Sequence, residues 1–247
     1  LKSDGSVACW GRNNDGQAPA SVGAAGDYGR SQLSSGGYHT CGSGADGSVA
    51  CWGRNNDGQA PAVEGAAGDY GRSQLSSGVF YTCGTRADGS VACWGNNDDG
   101  QAPAVEGVAG DYVQVSAGTW HTCAVRPDGS VACWGRNDNG QAPASEGGAG
   151  DFVQVSAGTW HTCGLRPDGR VACWGNDLYG QASPPAHVAG DYLQVSAGNS
   201  HTCGLKSDGS VACWGYNNNG QAPASVGAAG DYVQVSAGLY HTCGVRP

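Results

Sequence analysis

The apolar and β-forming residues of this chain come in short runs, each closed by Gly, Asp, Asn or Pro, and the runs return at a fixed interval. The clearest is His121-Thr-Cys-Ala-Val-Arg-Pro-Asp-Gly-Ser-Val-Ala-Cys-Trp-Gly135, with versions at 39–53, 81–95, 161–175 and 201–215. In the unit from Asp111 to Gly150, Tyr112 to Gly118 predicts a first strand, Trp120 to Arg126 a second and Ser130 to Gly135 a third. Pro127-Asp128-Gly129 predicts a three-residue hairpin turn, because Pro sets φ, Asp favours the bend and Gly accepts the left-handed conformation. Arg136 to Gly140 is a loop, and Gln141 to Glu146 leads into a weak outer strand that Pro143 places at an edge. Trp10, Trp52, Trp94, Trp134, Trp174 and Trp214 mark the period, at spacings of 42, 42, 40, 40 and 40 residues; the two longer repeats carry an inserted Gly29-Arg30 and Gly71-Arg72. Units of this length, rich in Gly and β-formers, predict a propeller, since a helical solenoid would need amphipathic helical periods.

The hairpin register fixes the cysteines. A Pro-Asp-Gly loop pairs Arg126 with Ser130, Val125 with Val131, Ala124 with Ala132 and Cys123 with Cys133, so the two sulfurs face each other across the ladder. The same count predicts bonds Cys41–Cys51, Cys83–Cys93, Cys163–Cys173 and Cys203–Cys213. A sixth copy is divided, with His241 to Pro247 supplying its first half and Leu1 to Gly11 its second. Joining the halves as one hairpin sets Cys243 opposite Cys9. The expectation is one all-β domain over 1–247, a six-bladed β-propeller of four-stranded blades, with the termini sharing a blade and locked by that bond.

Composition narrows the function. Twelve cysteines without methionine fit an oxidising, secreted setting, and the absence of Cys-x-x-Cys pairs argues against a zinc ribbon. The formal charge is −9, with 12 Lys+Arg against 21 Asp+Glu, which gives little material for a nucleic-acid face. Eighteen of the acids are Asp, mostly at repeated turn positions, and read as turn chemistry. No segment is apolar for the roughly 18 residues a membrane helix needs. The start in mid-repeat reads as a mature or excised product, with no signal peptide in view.

The run Trp134-Gly-Arg-Asn137-Asp-Asn-Gly140-Gln141, preceded by Ser-x-Gly-x-x-His-Thr-Cys and Asp-Gly-x-Val, resembles the repeat of the regulator-of-chromosome-condensation family of β-propellers. Similar runs stand at 10–17, 52–59, 94–101 and 214–221; Asp177 replaces the Asn at 174–181, and Tyr81 replaces the His of the second hairpin. The paired cysteines are closer to the secreted branch, as in bacterial extracellular repeat proteins and the ectodomains of Crinkly-type receptor kinases. The resemblance implies a binding scaffold acting through propeller faces. It departs in two ways: the best-known members have seven blades, and this acidic chain has no basic arm for chromatin binding or nucleotide exchange.

Candidate chemistry is sparse. Histidines 39, 121, 161, 201 and 241 recur once per repeat, and a hydrogen bond fixing the loop before the hairpin accounts for them better than a shared metal ion. The six tryptophans read as core between blades. The Asn-Asn-Asp-Gly loops lack the spacing and distal Glu of a calcium loop. No catalytic constellation, metal or cofactor is implied. The positions that differ between repeats are Tyr38, Phe80, Trp120, Trp160 and Tyr240 before the hairpin, and Arg12, Arg54, Arg136 and Tyr216 after Trp-Gly, with Tyr179 in one loop. Aromatics with Arg in loops compose a recognition surface; partial burial over the disulfide is the other reading of the same residues. The expected function is a non-catalytic extracellular binding or structural scaffold for a protein or glycan ligand, or part of a larger surface protein, without nucleic-acid binding or membrane insertion. A multivalent lectin is the alternative, and an enzyme inhibitor a third reading.

Overall fold

The computed structural model describes residues 13–18, 33–43, 47–61, 74–103, 110–143, 151–185, 190–223 and 232–246. These residues contain strands and turns and no helix. The chain divides into two compact units, Leu1–Ala117 and Gly118–Pro247.

In the first unit, β1 (Leu33–Ser35), β2 (His39–Ser43) and β3 (Val49–Gly53) form one antiparallel sheet. A second contains β4 (Leu75–Ser77), β5 (Tyr81–Thr85) and β6 (Val91–Gly95), and the unit ends on β7 (Gln114–Ala117). The second unit begins with the hairpin β8 (His121–Val125) and β9 (Val131–Gly135). It continues with the sheets β10–β11–β12 (Gln154–Ala157, His161–Leu165, Val171–Gly175) and β13–β14–β15 (Tyr192–Ala197, His201–Lys206, Val211–Gly215). A two-stranded sheet, β16 (Gln234–Ala237) with β17 (Thr242–Val245), closes the order. Three strands are present in each of the five complete repeats, and in the unit from Asp111 their ends are trimmed by a residue or two. The expected fourth strand lies almost wholly outside the described residues, and Gln141–Pro143 at its start are not in a strand.

The hairpin register is the predicted one: Cys123 pairs with Cys133, Ala124 with Ala132 and Val125 with Val131, and Arg126 N donates to Ser130 O at 2.9 Å. Gly129 sits at φ +78°, the left-handed turn position. Asp128 Oδ1 accepts from Ser130 N at 2.9 Å. That bond and the Ser130 side chain hold the Asp128 carboxyl below the usual carboxylate range. Five disulfides follow, at 41–51, 83–93, 123–133, 163–173 and 203–213, with Cα atoms 4.0–4.1 Å apart, as expected for directly opposed residues of a non-hydrogen-bonded pair.

Successive repeats are stitched by side chains. The first strands of the sheets have an edge that no further described strand covers, and at β7, β13 and β16 Ser and Gln of the preceding repeat accept from its N–H groups. Ala197 N donates to Ser156 Oγ (2.9 Å) and Val195 N to Gln154 Oε1 (3.0 Å); Ala237 and Val235 do the same to Ser196 and Gln194. Such an edge no longer invites pairing with another chain. The core fills the space between neighbouring repeats: Cys163, Leu165, Tyr192, Val195, Ala212 and Trp214 form one buried cluster. At Gly204 a Cβ would lie 2.5 Å from the Tyr192 ring, so a larger residue there would need the ring to shift. The tryptophans depart from the expectation of a fully buried core. Trp214 is buried, whereas Trp52, Trp94, Trp134 and Trp174 are half-buried. Their indoles also serve as donors between repeats, Trp174 Nε1 to Gln141 O and Trp214 Nε1 to Gln181 O at 3.1 and 3.0 Å.

The last hairpin differs. β17 is mostly exposed, and Cys243 is exposed and unbonded, while its counterparts Cys163 and Cys203 are fully buried. Its expected partner, Cys9, lies outside the described residues, as do Trp10 and Arg12.

Candidate functional site

Two features recur at the open end, or mouth, of the hairpins, the first of them where a histidine opens the second strand; in the β5–β6 hairpin Tyr81 stands in its place. The first is a buried relay. His161 Nε2 lies 2.8 Å from Thr202 Oγ1, and Thr202 Oγ1 donates to Gln181 O at 2.8 Å. His39–Thr82–Gln59, His121–Thr162–Gln141 and His201–Thr242–Gln221 repeat the arrangement. A threonine hydroxyl has one proton, and here the Gln carbonyl takes it, so the histidine must be the neutral Nε2–H tautomer donating to threonine. Burial holds the His121 and His161 pKa at about 3 and those of His39 and His201 at about 4. Nδ1 of His39, His161 and His201 has no partner. The ring packs over a glycine: at Gly158 a Cβ would come 3.0 Å from His161 Cε1 and 2.4 Å from Gly198 O. These histidines therefore lock one repeat to the next rather than fixing only their own loop, and His241, at the end, is exposed. No cluster of metal-ligating residues exists among the described residues.

The second feature is the mouth itself. Because His pairs with Gly at the hairpin's end, the residues just beyond meet. Arg54 N donates to Tyr38 O (2.9 Å), Asn96 N to Phe80 O (3.0 Å), Arg136 N to Trp120 O, Asn176 N to Trp160 O and Tyr216 N to Ser200 O (each 2.8 Å). The ladder thus sets the two series that vary between repeats side by side. Each loop closes on its own Asn, or on Asp177 in one: Ala142 N donates to Asn137 Oδ1, Ala102 N to Asn97 Oδ1 and Ala182 N to Asp177 Oδ1, each at 2.8 Å. The oxygens that looked like calcium ligands are spent on the turn.

In the first unit, Tyr38 and Phe80 stack at 5.9 Å, with the Arg54 guanidinium 5.4 Å from the Tyr38 ring centre. In the second, Arg136 lies 5.6 Å from the Trp160 ring centre and pairs through Nε with Asp138 at 2.6 Å. Tyr179 meets Tyr216 edge-on at 4.9 Å. Tyr38, Phe80, Trp120, Trp160, Arg54, Arg136 and Tyr216 are half-buried, whereas Tyr179 and Tyr240 are 50% and 61% exposed, and Leu178 is 77% exposed. Sequence reasoning gave no role to the glutamines. Gln59, Gln101, Gln141 and Gln181 are wholly buried and Gln221 nearly so, each taking a loop N–H on Oε1. Their fixed place after Gly in each loop was the signal for it.

Against known proteins, the model of the Regulator of chromosome condensation (RCC1) repeat matches residues 31–59, 73–101, 112–141, 152–181 and 193–221. No match was found among curated protein sequences. Among solved structures, the ectodomain of the Physcomitrella patens receptor kinase CR4 is 26% identical over 87% of this chain, with a TM-score of 0.69. This chain spans 58% of that ectodomain's length. The CRINKLY WD40 ectodomain of the Arabidopsis thaliana receptor kinase ACR4 is 28% identical, covering 90% of this chain and 78% of its own, with a TM-score of 0.67. Prp20p from Saccharomyces cerevisiae, described with its binding to Gsp1p and histones, shares the fold at 18% identity and a TM-score of 0.70, over 89% of this chain and 70% of its own. A disulfide in each complete repeat fits the cysteine-paired branch, and the all-β repeats are consistent with an RCC1-like propeller. The chain belongs to the family of the Regulator of chromosome condensation (RCC1) repeat.

Proposed function

We propose that this chain is a non-catalytic, secreted binding module that recognises a protein partner on its hairpin mouths. One observation carries the reading. The relay, the disulfide and the glycines repeat almost unchanged, while aromatics, Arg and one exposed Leu-Tyr pair differ from mouth to mouth. A surface serving only to close the fold has no reason to vary in that manner. The receptor-kinase ectodomains it resembles, and the disulfides, support an extracellular setting. The same reading has six four-stranded blades in one domain over 1–247, with Leu1 to Gly11 supplying the missing third strand beside β17 and Cys9 bonding Cys243.

The test is to screen the intact protein in parallel against arrayed extracellular domains and against glycans. Saturable binding to a protein domain, lost when the mouth residues are replaced together, is the expected result. A glycan hit with several sites per chain and no protein hit would replace this reading with the lectin. A blank on both would leave a structural role.

A further inference from the structure

The loops do not treat their buried glutamine alike. Where Asn follows Trp-Gly the amide is satisfied: Gln101 Nε2 donates to Asn96 Oδ1 at 2.7 Å, and Gln181 Nε2 to Asn176 Oδ1 at 2.8 Å. In the loop from Arg136 to Gln141 a guanidinium stands in that place, and it has donors but no acceptor. Gln141 is wholly buried and keeps its Oε1 bond to Asn139 N at 2.8 Å, yet its Nε2 has no partner. An unpaired buried donor destabilises a fold. Asn at 136 would relieve it with a device the chain already uses twice. What Arg136 receives in return is an exposed ion pair with Asp138 and the Trp160 ring, neither of which weighs much in folding. Arg54 stands in the same place, but there Gln59 Nε2 reaches Asp57 Oδ2 at 3.4 Å. Here Asn139 replaces that aspartate, and Arg136 leaves its glutamine amide unpaired without an internal gain, which marks a site whose reason lies outside the fold.

The next loop breaks the pattern as well. Leu178-Tyr179 stands where the other loops have Asn56-Asp57, Asp98-Asp99, Asp138-Asn139 and Asn218-Asn219. The backbone that carries them is not loose. Leu178 N donates to Asn176 Oδ1 at 3.1 Å, Tyr179 N to Gln181 Oε1 at 2.8 Å, and the Tyr179 ring rests on Tyr216. The two loops touch, through Asn176 Nδ2 and Asn139 Oδ1 at 3.3 Å.

We propose that these two loops of the second unit form one docking patch for an extended protein segment, in which Arg136 over Trp160 takes a carboxylate side chain and Leu178, Tyr179 and Tyr216 take a neighbouring apolar one. This rests on the binding-module reading and names its partner's chemistry. A planar guanidinium backed by an indole face presents its outer nitrogens to a planar carboxylate, and Asp138 already shows a carboxylate accepted at Nε. The Leu178 side chain, 77% exposed on a hydrogen-bonded loop backbone, offers nothing to a sugar hydroxyl, which favours a protein segment over a glycan.

The test pans a random-peptide phage library on the intact protein, on Arg136→Asn and on Leu178→Asn/Tyr179→Asp. The wild type is expected to enrich peptides pairing Asp or Glu with a large apolar residue, and each variant to bind them about thirtyfold more weakly. Arg136→Asn is also expected to raise Tm by about 2–4 °C, because Gln141 regains its partner. Peptides that bind the variants as well as the wild type would overturn the patch while leaving the module reading intact. A fall in Tm for Arg136→Asn would make the arginine structural and overturn it too. No enrichment on the wild type overturns the proposal, and a blank on the arrayed domains as well overturns the module reading with it.

Discussion

The interior of a hairpin and its mouth are a few residues apart and obey different rules. Inside, between His161 and Gly175, the His161 ring, the Thr162 hydroxyl and the Trp174 indole are each bonded to the next or the previous repeat, and glycines stand where a Cβ would strike a neighbour. At the mouth, one residue further on, the chain accepts Arg, Asn or Tyr after Trp-Gly and leaves a Leu in water. The backbone bond from residue 176 to residue 160 is the boundary, since it depends on no side chain. Repetition thus separates what builds the fold from what is free to do something else.

The sharpest way to break the interior is at Gly158. A Cβ there would lie 2.4 Å from Gly198 O, a backbone atom that cannot swing away. Gly158→Ala is expected to destabilise the chain by about 3 kcal/mol or more, or to prevent folding, as judged by thermal unfolding and yield. Next comes the disulfide. Cys123→Ala with Cys133→Ala opens a short loop and is expected to remove about 2–3 kcal/mol, measured by denaturant unfolding.

Thr202→Val leaves the His161 N–H unpaired in a buried site and the Gln181 carbonyl with only the Trp214 indole as donor, at about 1–3 kcal/mol. The same relay predicts acid sensitivity. Burial lowers the folded pKa values of His39, His121, His161 and His201 to about 3 or 4, below the ordinary 6.5 of a free imidazole. Below pH 6.5 the unfolded chain therefore binds protons that the folded chain refuses. Stability is full above about 6.5 and is lost as the pH falls toward the folded values. Tm measured from pH 7 to pH 4 should fall steadily, and His161→Gln should flatten that slope; an unchanged slope would exclude the buried neutral imidazole as its source.

Much of the interior could be read from the sequence. The Pro-Asp-Gly turn and one round of counting placed Cys123 opposite Cys133, because a β-ladder has a rigid period. The relay was half legible: a recurring His implied a recurring bond, but its acceptor, a Thr about 40 residues on, depends on how repeats stack. The glutamine contacts were hidden for the same reason, since only folding shows that Gln101 and Gln181 reach back five residues to Asn96 and Asn176. At the mouth, sequence variation named the residues but left surface and partial burial open. Burial differs among them: Trp160 is half-buried under Arg136, while Leu178 and Tyr179 are exposed.

The smallest effect is the one that tests the division most directly. If the mouth is free of structural duty, Leu178→Asn with Tyr179→Asp should leave the stability within about 0.5 kcal/mol of the parent. The loop that carries them is built from other atoms: the Asn176 and Asp177 side chains, the Gln181 amide and the backbone of Gly180, none of which is touched. The change restores the residues that stand at 56 and 57, where an equivalent turn forms with Gly58 N donating to Asn55 O. It also removes a Leu from water and a ring from Tyr216, terms of opposite sign. A denaturant midpoint unchanged in this variant but shifted in Thr202→Val would place the boundary between fold and recognition within a single repeat, at the residue after Trp-Gly.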